Sequence, residues 1–262
     1  MLKLVACDVD GTLLPHGHTQ ISDEIVGLIK EITDKKIIFA VASGRPYHNL
    51  KWLFEKVEDR IFFIPSDGAM ILHNEKILYK KAIQPFAMVN TVKPLIGRDS
   101  LSVVLAGKYI SYVMSEDKEF KDKLRHDNRN HIIEVSRLDE IEEDVYKISV
   151  YGSAKSAFSR QIMSGRHSDM LDLIYEDNGW TEFVAKGVNK ALALKYVMKS
   201  LKAPANEIVV IGDNINDVEM LKLTGNSRAV AGHPEAERAA GSIVENAEEI
   251  LRIIARKGDL NG

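Results

Sequence analysis

Cysteine is nearly missing from this chain: Cys7 is the only one among 262 residues. No disulfide can form within it, and a reducing compartment suits it. Long apolar runs are missing too. The longest, Ile37-Ile38-Phe39-Ala40-Val41-Ala42, falls far short of the ~18 residues that a membrane span needs. The chain opens on an apolar segment, without a basic region and long apolar core, so a signal peptide is not expected and a cytoplasmic location is. Neither sign of charge dominates. Lys and Arg number 35 against 38 Asp and Glu, a formal net charge of −3. That balance argues against a general nucleic-acid binder, which needs a basic face, and leaves room for a small anionic ligand. There is no HExxH and no His/Cys cluster. Of the eight histidines, His16, His18, His73, His126, His131, His167 and His233 read as surface or loop residues, and His48 follows Arg45 in a helix.

What is present is enough apolar residue, 45% of the chain, for a sizeable core, in a length that suits one large or two modest domains. Leu2 to Cys7 reads as a short buried strand, with Cys7 an inert core thiol. Ser22 caps a helix with Ile25, Val26, Leu28, Ile29 and Ile32 on one face. A continuous apolar strand follows at 37–42. Strand, helix, strand with unbroken apolar strands predicts a parallel sheet covered on both faces. Pro46 opens a helix through Val57, Ile61 to Ile64 is a third strand, and two short strands follow at 69–72 and 77–80.

The pattern then changes. A helix over 86–97 precedes a hairpin of strands at 101–106 and 109–114. A charged helix at 116–128 has a solvated face, a strand covers 145–151, and a helix is expected at 154–164. Strands at 171–176 and 180–185 flank Asp177-Asn178-Gly179, a strong hairpin turn. Trp180 is expected to pack within this region. Alternating α/β resumes with a helix at 189–201, a strand at 208–211, a short helix at 218–223, strands near 228–231 and 242–244 around a helix from Pro234, and a last helix in which Asn246 and Glu249 have capping-box spacing. The expected class is α/β: a Rossmann-like parallel-sheet core built from 1–83 and 186–262, with an α+β domain, 84–185, inserted as an antiparallel sheet.

Loops at the carboxyl ends of parallel strands gather into one crevice. Asp8 and Asp10, Ser43-Gly44-Arg45, and Asp213 with Asp217 stand at such ends, and Lys190 opens a helix. Two carboxylates ~4 Å apart repel by about 4 kcal/mol at an effective dielectric of ~20, so Asp8 and Asp10 need something to offset them. Several aspartates with only oxygen ligands favour Mg²⁺. With a metal, a lysine and a serine hydroxyl, such a crevice suits a phosphate: one carboxylate attacks phosphorus, and its partner serves as acid for the leaving oxygen and then as base for water.

Asp8-Val9-Asp10-Gly11-Thr12, Ser43-Gly44-Arg45-Pro46, Lys190 within Lys186-Gly187-Val188-Asn189-Lys190, and Gly212-Asp213-Asn214-Ile215-Asn216-Asp217 resemble, in order and spacing, the four motifs of the haloacid dehalogenase (HAD) superfamily. The inserted domain resembles the cap of its Cof-type (type IIB) sugar-phosphatase branch. The resemblance implies a Mg²⁺-dependent phosphatase that hydrolyses small phosphorylated metabolites, sugar phosphates among them, through an aspartyl phosphate. It implies Asp8 as nucleophile and Mg²⁺ ligand, Asp10 as acid/base with its main-chain carbonyl on the metal, and Asp213 as the third protein ligand. Asp217 would position Lys190 or hold the metal's outer shell. Ser43 and Lys190 would bind the phosphate, Asn216 would contact it or a metal-bound water, and Gly44 and Arg45 would lie where substrate enters. Asp67-Gly68 stands where the family often has Asn-Gly, adding negative charge near the entrance without touching a catalytic role. Asn189 and Ala191 around the lysine, and Gly232-His233-Pro234, also depart from the usual pattern.

The competing functions are a phosphotransferase or mutase on the same chemistry, with a second hydroxyl in place of water, and a receiver module phosphorylated on aspartate. Receivers are about half this length and need no inserted domain. The expected partner is a small phosphorylated metabolite, with no nucleic acid or membrane, and the chain is expected to be a monomer or weak homo-oligomer.

Overall fold

A computed structural model describes residues 2–98, 101–128, 131–152, 165, 168–177 and 179–260. Along the chain it forms β1 (Leu4–Cys7), α1 (Asp23–Asp34), β2 (Ile38–Ala42), α2 (Tyr47–Leu53), β3 (Ile61–Ile64), β4 (Met70–His73) and β5 (Lys76–Lys80). Then come α3 (Pro85–Val92), β6 (Leu101–Ala106), β7 (Ser111–Met114), α4 (Lys118–Asn128), β8 (Ile132–Glu134), β9 (Lys147–Gly152), β10 (Leu171–Asp177) and β11 (Trp180–Ala185). The chain finishes with α5 (Lys190–Leu201), β12 (Ile208–Gly212), α6 (Val218–Leu221), β13 (Ser227–Val230), α7 (Pro234–Ala239), β14 (Ser242–Val244) and α8 (Ala247–Lys257). Two compact units result: Met1–Gly44 with Leu50–Tyr79 and Asn189–Gly262, and Arg45–Asn49 with Lys80–Val188. No described helix is long and apolar enough to cross a membrane.

The first unit holds an eight-stranded sheet in the order β14-β13-β12-β1-β2-β3-β4-β5. From β14 to β3 every neighbouring pair is parallel. β4 turns back antiparallel to β3, with Phe63 opposite Leu72. Every residue of β1 is buried, as unbroken apolar strands in a sheet covered on both faces must be. β1 lies between β12 and β2, Val5 facing Val209 on one side and Phe39 on the other. Helix α5 packs Leu194 and Val197 onto this sheet beside Leu4, Ala40 and Val210; each fully buried Leu or Val contributes roughly 1.5–3 kcal/mol.

Local signals place the helices. Ser22 Oγ accepts from the Ile25 N–H at 3.1 Å to start α1, Asn189 Oδ1 accepts from the Leu192 N–H at 2.8 Å to start α5, and Asn246 Oδ1 accepts from the Glu249 N–H at 2.9 Å to start α8. Each satisfies a donor that the first helical turn leaves orphaned.

The second unit is a six-stranded sheet, β10-β11-β9-β6-β7-β8. Five of its strands pair antiparallel, while β8 runs parallel to β7, with Ser111 opposite Ile132. Trp180 packs here against Phe120 and Tyr151, with ring centroids 5.7 and 5.0 Å away.

Several sequence expectations shift. The helix expected over 86–97 ends at Val92, because Pro94 has no N–H to continue it. The helix expected through Val57 ends at Leu53 and continues as a 3₁₀ turn at Glu55–Val57. β8 was not anticipated: Ile132 is half-buried, and Ile133 and Glu134 are exposed, so no alternation marks it. The helix expected at 154–164 lies outside the described residues.

Candidate active site

β12, β1 and β2 are neighbours, so the loops leaving their carboxyl ends are neighbours too. Asp213 follows β12, Asp8 follows β1 and Ser43 follows β2. Lys190 enters from the first turn of α5, where Asn189 is the cap.

Lys190 is 1% exposed and its ammonium bridges two carboxylates: Nζ donates to Asp8 Oδ1 at 2.6 Å and to Asp217 Oδ1 at 2.7 Å. The other oxygen of Asp217, Oδ2, accepts from the main-chain N–H groups of Asp213 and Asn214, both at 3.0 Å. Both oxygens of Asp217 are therefore engaged, one by the lysine and one by the loop that carries Asp213. Asp213 Oδ1 accepts from Thr12 Oγ1 at 2.8 Å. Thr12 thus ties the loop after β1 to the loop after β12.

One lysine faces three buried carboxylates, Asp8, Asp213 and Asp217, from each of which one oxygen lies within 4.8 Å of the others. The imbalance is visible in their proton affinities. Burial, then repulsion from Asp217 and Asp213, holds the Asp8 carboxyl well above the ordinary carboxylate value, against the pull of Lys190. Burial and Asp217 raise Asp213, which the Thr12 hydrogen bond partly offsets. Burial disfavours the Lys190 ammonium, yet Asp217, Asp8 and Asp67 together outweigh that, so it stays charged beyond the usual lysine range. The two partners agree once the count is made: a single cation saturates itself and leaves carboxylates in excess.

That excess fits a hard cation. The donors are all oxygens, carried by Asp8, Asp213 and Asp217. A divalent cation would sit among them. Space for Asp213 depends on Gly11. At φ +84°, a Cβ there would lie 2.2 Å from Asp213 Oδ2. Gly11→Ala is expected to lower the unfolding free energy by about 2–4 kcal/mol, from left-handed strain and overpacking, as read by urea denaturation. A variant as stable as the parent would mean that Asp213 has room to retreat.

Asp8 and Asp10 meet different surroundings at the end of β1. β1 stops at Cys7, and the chain turns on the Leu14 N–H to Val9 carbonyl bond at 2.7 Å. Asp8 is buried and Asp10 exposed; the carboxylates that press on Asp8 come from two hundred residues away. Burial, then the Asp8 charge, pushes the Cys7 thiol up, in keeping with an inert core residue.

Ser43 is fully buried. Its N–H donates to the Ile64 carbonyl at 3.0 Å, and its own carbonyl accepts from the Asp67 N–H at 2.9 Å. Gly44 follows it, half-buried. Asn216, half-buried, donates from Nδ2 to Asp67 Oδ1 at 2.9 Å. Arg45 groups with the second unit, where it donates to Asn49 Oδ1 at 2.8 Å. Two residues escaped the sequence reading. Thr12 was part of a motif but had no role. Asp67, which the motif pattern sets near the entrance and apart from catalysis, is 4% exposed and bonded to Asn216.

Comparison with known proteins places this arrangement. The family model of the haloacid dehalogenase-like hydrolases matches residues 5–254. The chain is 25% identical over 259 residues to 5-amino-6-(5-phospho-D-ribitylamino)uracil phosphatase YbjI of Escherichia coli, covering 97% of this chain and 95% of that one. It is likewise 25% identical to the phosphatase YitU of Bacillus subtilis, named for the same substrate, over 85% of this chain and 84% of that one. In fold it is similar to the HAD subclass IIB sugar phosphatase BT4131, with a TM-score of 0.79 at 19% identity, covering 98% of this chain and 99% of that one.

Proposed function

Because the chain belongs to the haloacid dehalogenase-like hydrolases and is a phosphatase of that family, we propose that it is a Mg²⁺-dependent phosphomonoesterase that hydrolyses small phosphorylated metabolites, sugar or polyol phosphates among them, through an aspartyl phosphate on Asp8. The observation that carries this reading is the buried Asp8–Lys190–Asp217 bridge with Asp213 beside it. It holds one carboxylate in place, supplies one fixed positive charge, and leaves an excess of negative charge for a divalent cation.

Lys190 occupies Oδ1 of Asp8, which leaves Oδ2 to attack. The Asp8–phosphorus bond forms as the bond from phosphorus to the ester oxygen breaks, and Asp10 delivers a proton to that leaving oxygen. Asp10 then takes a proton from water as the water oxygen attacks phosphorus, which releases inorganic phosphate and restores Asp8. Its exposure suits a group that must exchange protons with substrate and water. Lys190 and the Ser43 hydroxyl bind the non-bridging oxygens, Asp217 fixes Lys190, and Gly44 and Arg45 meet the incoming substrate. Mg²⁺, when bound, supplies positive charge that stabilises the transferring phosphoryl group. Residues 84–185 form the cap, to which we assign the choice of substrate.

The test is a panel of phosphomonoesters that includes hexose phosphates, ribityl phosphates and an aryl phosphate. Release of inorganic phosphate with Mg²⁺, lost on adding EDTA and restored by excess Mg²⁺, is the expected result. Turnover that persists in EDTA, or phosphate passed to a second hydroxyl rather than to water, would overturn it.

A further inference from the structure

The segment that follows β3 does something no motif announces. Ser66, Asp67 and Gly68 take φ values of 49°, 56° and 98° in succession. Glycine enters the left-handed region freely, whereas serine and aspartate are strained there. Strain of this kind persists only where the surroundings enforce it, and it clusters at functional sites.

The surroundings here are the site's own parts. The Asp67 N–H donates to the Ser43 carbonyl at 2.9 Å. Gly68 lies against the start of α5: a Cβ on it would meet the Asn189 carbonyl oxygen at 2.4 Å and the Lys190 nitrogen at 3.1 Å. Asp67 Oδ1 accepts from Asn216 Nδ2 at 2.9 Å. One three-residue turn thereby touches the loop after β2, the lysine helix and the loop after β12.

We propose that Asp67 is a positioning residue for phosphoryl transfer, its carboxylate fixing which end of the Asn216 carboxamide is presented to the site. The inference rests on the phosphatase reading for its kinetic consequence, and on geometry alone for the orientation of Asn216. Asn216 turns its amide nitrogen toward Asp67 Oδ1 and so its carbonyl oxygen the other way. An amide or hydroxyl at position 67 would allow either orientation. A left-handed aspartate that serves only its turn bonds to its own nearby main chain. This one reaches a side chain 149 residues away.

The experiment uses the full chain with Asp67→Ala, Asp67→Asn and Asp67→Gly, together with Asn216→Ala and the double variant Asp67→Ala/Asn216→Ala. Asp67→Gly separates strain from function, because glycine suits the backbone and lacks the carboxylate; it also stands in if Asp67→Ala fails to fold. On an aryl phosphate with Mg²⁺, Asp67→Ala and Asp67→Gly should lose about 10–100-fold in kcat, the range for partners that orient a site group, with KM moving less. Asp67→Asn should recover only part of the loss, since its oxygen can still accept but its amide nitrogen also lets the Asn216 carboxamide turn round. The double variant should turn over no more slowly than Asn216→Ala. In ¹H–¹⁵N spectra, the carboxamide pair that vanishes in Asn216→Ala should shift in Asp67→Gly. A kcat for Asp67→Gly equal to the parent's, losses that multiply in the double variant, or an unmoved Asn216 pair would overturn the proposal. If the parent hydrolyses no phosphomonoester, the phosphatase reading fails, while the spectra still decide the orientation.

Discussion

Asp8→Asn should leave the protein folded and essentially without turnover. The loss expected in kcat is at least about 10⁴-fold, the scale seen when a covalent nucleophile is removed from a site whose parts act together. The substitution is nearly isosteric, and its carboxamide oxygen can still accept from Lys190 Nζ where Asp8 Oδ1 now does. What disappears is the nucleophile, since a neutral amide does not attack phosphorus. Stability should move the other way. Burial and the neighbouring Asp217 and Asp213 already hold the Asp8 carboxyl above its ordinary value, so the folded protein binds a proton there more readily than the unfolded chain. Stability from this group therefore falls as pH rises through the carboxylate range and above it. A neutral side chain removes that penalty, and at neutral pH without metal Asp8→Asn should melt no lower than the parent in a thermal scan. A variant that is both inactive and strongly destabilised would assign Asp8 a structural role instead.

Lys190→Met should produce the larger loss of stability. Removing the cation leaves Asp8, Asp217 and Asp213 buried without it, and breaking a buried ion pair from one side typically costs about 3–5 kcal/mol. The exposed pair of Lys80 with Asp144, at 2.8 Å, is a fair contrast: Lys80→Met should cost no more than about 1 kcal/mol. The pH dependence follows from the shifts. The Lys190 ammonium is held above its ordinary value, so its contribution is complete below the usual lysine pKa and is lost only as pH climbs through its own raised value. At neutral pH the full deficit should be seen. Toward acid the deficit should shrink, because Asp8 and Asp213, raised above the ordinary range, take up protons and no longer need the cation. Urea denaturation of both variants against pH measures this, and a Lys190→Met deficit that grows on acidification would contradict it. Turnover should fall about 10²–10³-fold as well, the scale for losing a charge placed on the transferring group.

The sequence carried the frame of this site because its parts sit where parallel strands end. Unbroken apolar segments announced β1, β2 and β12, and the rule that crevices open at their carboxyl ends put Asp8, Ser43 and Asp213 on neighbouring loops. Side-chain spacing carried α1, α5 and α8, and Ser22, Asn189 and Asn246 stand at their caps. Periodicity could not reveal which carboxylates crowd Asp8, because that depends on how far the chain turns after Cys7. Nor could it reveal the clamp on Asn216. The left-handed turn at Ser66 and Asp67 leads into Gly68, which lies against Asn189, over 120 residues away in sequence, and neither residue type demands that conformation. β8 was missed for the opposite reason: it is held by its partner Ser111–Val113 rather than by any pattern of its own.

The most direct test of the account is to mix the enzyme with a phosphomonoester and Mg²⁺, quench in acid within a turnover, and map the phosphoryl group by mass spectrometry. A phosphorylated Asp8 should form and decay at rates consistent with turnover, and it should be absent in Asp8→Asn. A phosphoryl group on another residue, or steady hydrolysis by Asp8→Asn, would contradict it.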